Sequence, residues 1–167
     1  LNPCGKLPIS FPRHTGQIPV YYNSLPGWHG GKYVDQLQEP LFAFGEGFGY
    51  ARFIYKDLRF DERALTLSVS LTNAGAVRGA ETAQVYVRDV VSSVITPVKR
   101  LVAFQKVTLE PGETRELAFP LNREDFSLVL PDERRVVENG DFVLMAGSSS
   151  KDTDLLKLTF RLAAQEN

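Results

Sequence analysis

The residues able to do chemistry are few, and their spacing limits what that chemistry is. His14 and His29 are the only imidazoles, and neither has a second His, Cys or acid at metal-ligand spacing, so neither a metal site nor a cofactor is expected. Cys4 stands beside Gly5 with nothing nearby to lower its pKa and reads as an ordinary small residue. Asp61-Glu62, Glu124-Asp125 and Asp132-Glu133 are carboxylate doublets at turn sequences. Neighbours on a strand point to opposite faces, so these doublets read as solvated turn charges and no catalytic residue is assigned. Ser148-Ser149-Ser150 lacks the glycine frame of a nucleophile elbow. Gly45-Glu46-Gly47-Phe48-Gly49 lacks the last glycine of a phosphate-binding loop and no helix follows. Its aromatic company, Phe42, Phe44, Phe48, Tyr50 and Phe53, suggests a close crossing between two bodies, with rings filling the seam. Tyr21, Tyr22, Trp28 and Tyr33 lie in loop sequence. Trp28, His29 and Tyr33 are the candidate sugar contacts, since flat rings stack on sugars; packing against a neighbouring domain is the other reading.

The elements that must hold these residues fall into two parts. Residues 1–52 carry most of the glycines, the only Trp and both His, and show little periodicity. Gln17–Asn23 is strand-like but contains Pro19, which suits an edge strand or an extended pass over a surface. From Phe53 onward the apolar residues repeat every second position. Leu65, Leu67, Val69 and Leu71 alternate with polar residues, as do Ala83, Val85 and Val87, then Leu117, Phe119 and Leu121, and finally Leu156, Leu158, Phe160 and Leu162. Asn73-Ala74-Gly75, Glu110-Pro111-Gly112-Glu113 and Asn139-Gly140-Asp141 are turns between them, and residues 122–126 form one short helical turn. Seven or eight strands without a useful helix predict an all-β, antiparallel sandwich over residues 53–167, preceded by an irregular extended leader over 1–52. The immunoglobulin Cys and Trp pair is missing from 53–167, so the fibronectin III-like variant fits better.

With 167 residues, 43% hydrophobic and 23% charged, the chain is long enough for one domain with a sizeable core. A net charge of -1 argues against nucleic acid or a polybasic membrane contact, and no apolar stretch is as long as a membrane span. A lone cysteine fixes no compartment. The chain opens on Leu1-Asn2-Pro3 without a Met, which raises the expectation of a segment of a longer polypeptide.

These residues resemble a family. Asn2-Pro3-Cys4-Gly5-Lys6-Leu7-Pro8-Ile9-Ser10-Phe11-Pro12-Arg13 resembles the end of the α/β domain of glycoside hydrolase family 3. Gly16–Asn23, Lys32-Tyr33-Val34-Asp35 and Leu41–Tyr50 are similar to the segments that follow it, and Gly79–Val87, Pro97–Val107 and Leu109–Thr114 to the family's C-terminal fibronectin III-like domain. Ala43, Glu46 and Gly49 depart from the usual Pro, aromatic or His, and Ser, and the loop over 24–31 departs most. The resemblance implies a parent β-glucosidase-type enzyme that cleaves terminal β-glycosides with retention, its catalytic carboxylates lying upstream of this segment. It further implies that residues 1–52 are the end of the α/β domain with a crossing segment. The partners would then be the barrel and α/β domains, and the segment alone would be inactive. An oligosaccharide partner, self-association through the bared aromatic face, and a free-standing carbohydrate-binding or protein-interaction module are the alternatives.

Overall fold

The computed structural model describes residues 2–27, 32–33 and 36–163. Seven strands build two antiparallel sheets. In the larger, the order is β11 (Leu155–Leu162), β10 (Gly140–Gly147), β5 (Gly79–Asp89), β6 (Arg100–Leu109); in the smaller, β3 (Phe53–Asp61), β4 (Thr66–Asn73), β7 (Thr114–Pro120). Two-residue ladders join β1 (Lys32–Tyr33) to β2 (Gln36–Leu37) and β8 (Leu128–Val129) to β9 (Arg135–Val136). The expected all-β, fibronectin III-like sandwich is present.

Period-two alternation places the core. Leu67, Val69 and Leu71 of β4 face Ala83, Val85 and Val87 of β5 and Phe142, Leu144 and Ala146 of β10, and all nine are buried. Phe126, Phe142 and Phe160 form an edge-on and stacked trio with centroids 5.3–5.9 Å apart. Phe126 reaches it from a 3-10 turn, Arg123–Phe126, closed by a reciprocal capping box between Asn122 and Asp125. Leu65 departs from the expected pattern. It stands before β4 with φ +47°, half-buried, because the chain turns there and Leu121 N–H donates to its carbonyl.

The carboxylate doublets work in turns. Asp61 accepts from the N–H groups of Arg63 and Ala64 at 2.9 and 3.0 Å, and Asp132 pairs with Arg134 at 2.7 Å.

The outer face of the larger sheet shows a second departure. Tyr86 and Gln84 alternate outward on β5, yet both are buried. Tyr86 sits opposite Met145 of β10, and with Leu155 they form a second cluster under Tyr22, Phe44, Leu101 and Val143. The leader is the cover.

Candidate functional site

The leader reaches the sheet as a paired, two-pass segment. Leu7 N–H donates to Glu46 O and Gly45 N–H to Leu7 O, at 2.9 and 2.8 Å. Further along, Phe11 bridges Phe42 in the same antiparallel sense. The turn between Ala43 and Glu46 is held by its own acid, whose Oε2 accepts from Ala43 N–H at 2.8 Å. This is the glycine-rich loop of the sequence. Gly45 has φ +77°, and a Cβ added there would fall inside the Gln84 carboxamide. Only glycine lets the backbone approach so closely in this conformation.

Polar keys lock the passes onto the sandwich. Gln84 Nε2 donates to Gly45 O at 3.0 Å and to Ser148 O at 2.7 Å, while its Oε1 accepts from Tyr86 Oη–H at 2.6 Å. Ser150 N–H donates to Phe44 O at 2.9 Å. Lys6 Nζ meets Glu81 Oε1 at 2.7 Å and Ser148 O at 3.0 Å. Glu81 is buried and also accepts from Tyr55 Oη–H at 3.3 Å. Burial, reinforced by the Glu81 charge, pushes the Tyr55 phenol well up, so it remains a donor. Burial likewise raises Tyr86. Tyr22 stacks on Phe44 with centroids 4.2 Å apart, and its hydroxyl accepts from Leu101 N–H. A hollow of about 260 Å³ lies beside this lock, between the Asn2–Lys6 strip, residues 46–53 and Glu81.

The sequence-named aromatics divide. Phe44 lies in the lock. Phe42 is half-buried and meets Phe11 and Phe48 edge-on, at 6.4 and 5.6 Å. Phe48 and Tyr50 are 68% and 77% exposed. Phe53 packs against the main core as part of β3. Trp28 and His29 lie outside the described residues. Tyr33 is described only as the backbone partner of Gln36. His14 precedes a 3-10 turn at the exposed surface, Cys4 is a free, half-buried thiol, and no group of three metal-ligating side chains occurs among the described residues. Nothing in the sequence alone marks Lys6, Glu81 and Gln84 as partners. A Glu and a Gln at positions 81 and 84 of a strand announce no partner, and a lysine in a loop reads as solvated.

Residues 81–150 match the Fn3-like family, the fibronectin type III-like domain. Over 164 residues, 93% of the chain, the sequence is 41% identical to a β-xylosidase of Formosa agariphila, of which it covers 23%. It is 38% identical to the periplasmic β-glucosidase of Salmonella typhimurium, with 89% of this chain and 22% of that protein covered. A solved β-glucosidase of intestinal bacteria, involved in saponin metabolism, superposes with a TM-score of 0.91 at 43% identity, over 97% of this chain and 23% of the other. The chain thus spans less than a quarter of the length of these relatives. It carries a fibronectin type III-like domain with its leader locked on, and over nearly all its length it matches a C-terminal region of β-glucosidase-type glycoside hydrolases.

Proposed function

We propose that this chain is the non-catalytic C-terminal segment of a family 3, β-glucosidase-type enzyme, and that it braces the catalytic barrel and α/β domains. Residues 53–167 are the sandwich, and residues 1–52 carry the crossing from the α/β domain. The parent acts on terminal β-glycosides by double displacement, through a covalent glycosyl-enzyme intermediate formed on carboxylates outside this segment. The observation that carries the reading is the contrast within one short stretch. Phe44 and Gly45 are locked to the sandwich, whereas Phe48 and Tyr50, a few residues on, are mostly exposed, Phe48 touching only the leader's own Phe42 among the described rings. Large rings presented from an anchored segment are what a second body buries, at about 1.5–3 kcal/mol for each ring. In isolation the same face favours self-association.

The test is a Phe48→Ser, Tyr50→Ser variant of the longer enzyme. Its temperature of half-inactivation should fall by several degrees while KM at 25 °C is unchanged. A half-inactivation temperature equal to the wild type's would refute the brace.

A further inference from the structure

The leader covers only part of the outer sheet face. Next to Tyr22 it leaves a cleft of about 940 Å³. The floor is an apolar strip, Val143 and Met145 of β10, flanked by the residues paired with them across the sheet: Arg88 of β5 opposite Val143 and Lys157 of β11 opposite Met145. Lys99 and Lys151 also line it, and among the described residues Asp152 is the only carboxylate on the sandwich side. Lys99 Nζ at 2.7 Å and Lys157 Nζ at 3.3 Å share that one carboxylate. The Arg88 guanidinium and the Lys151 amine have no ion-pair partner among the described residues. The leader wall contributes Arg13, Glu39 and Glu46, so among the described residues the lining has two positive charges in excess. Tyr21 stands at this wall, 66% exposed.

From this arrangement we infer that the cleft docks an extended acidic segment of the longer polypeptide, its carboxylates on Arg88, Lys151 and Lys157 and an apolar side chain on Val143, the half-buried residue of the floor. The inference rests on the brace reading and names the second contact of the brace. Two observations carry it. The relatives are more than four times as long as this chain, so most of such a polypeptide lies outside it. The cleft's positive excess is matched by carboxylates, and its walls come from both the leader and the sandwich, so an occupant would hold the two together.

Carbodiimide joins an amine only to a carboxylate in direct contact, so it reads the occupant directly. Treatment of the longer enzyme, followed by peptide mass spectrometry, should give cross-links from Lys151 or Lys157 to Asp or Glu residues outside these 167. Their yield should fall severalfold in 1 M salt, where the Debye length is about 3 Å. They should vanish in Lys151→Gln, Lys157→Gln. Cross-links confined to Asp152 and other carboxylates within the 167 residues would overturn the inference. So would saturable binding of a neutral cello-oligosaccharide to the isolated chain that is lost in Tyr21→Ala, which would assign the cleft to a saccharide. The Phe48, Tyr50 variant reports on the brace independently, so the two readings can fail separately.

Discussion

Gly45→Ala should release the leader without unfolding the sandwich. Two costs add. A Cβ at φ +77° is strained by about 1–2 kcal/mol. The same Cβ displaces the Gln84 carboxamide, which makes bonds to Gly45 O, Ser148 O and the Tyr86 hydroxyl. Each such bond contributes about 0.5–1.5 kcal/mol net, so losing most of them brings the total to about 3–5 kcal/mol. Gly112→Ala is the control, because Gly112 also has φ +77° but a Cβ there would meet nothing within 4 Å. It should show only the backbone strain, expressed at the β6–β7 turn. The assay is amide hydrogen exchange on the isolated chain. At about 1.4 kcal/mol per tenfold, Gly45→Ala should cut protection at Leu7, Gly45 and Ser150 by a hundredfold or more. Amides of β4 and β10 should stay protected. A change below threefold at those positions, or an equal loss in β4, would refute the reasoning that Gly45 and Gln84 form the latch.

Two further outcomes are expected. Lys6→Met leaves Glu81 buried with only the Tyr55 hydroxyl and should cost about 3 kcal/mol in denaturant unfolding, whereas Lys6→Met combined with Glu81→Leu should recover most of that loss. Burial raises the Asp152 carboxyl, but the hydrogen bond and charge of Lys99, helped by Lys157, outweigh it and hold the group below its ordinary 3.8. A lowered carboxyl stabilises the fold above its unfolded value, and that stability is lost as pH falls through the folded value. Asp152→Asn should therefore cost at most about 1 kcal/mol at pH 7, discounted for exposure, and the gap in thermal unfolding should narrow as pH falls below the ordinary carboxylate value of 3.8.

The sandwich is legible in sequence because one physical requirement sets it. Each strand has one face on the core, so the apolar residues of β4, β5, β7 and β11 repeat with period two and turn residues interrupt them. The same rule misplaces Tyr86 and Gln84, which occupy outward positions and are buried by a segment some forty residues earlier in the chain. Nothing local in Gln84-Val85-Tyr86 encodes that cover. The glycine loop does signal a close approach. Gly45 is indeed where backbone meets sandwich, but the surface it meets is this chain's own β5. Lys6 and Glu81 were invisible for a related reason. Their pairing spans 75 positions, and either residue alone is an ordinary surface charge.

Turnover of an aryl β-glucoside by the purified 167-residue chain decides whether this segment carries catalysis of its own. No hydrolysis above the uncatalysed background is expected at any concentration, since the proposed function assigns the catalytic carboxylates to the part of the longer enzyme outside this segment. Hydrolysis that co-purifies with the folded chain and saturates with substrate would contradict it.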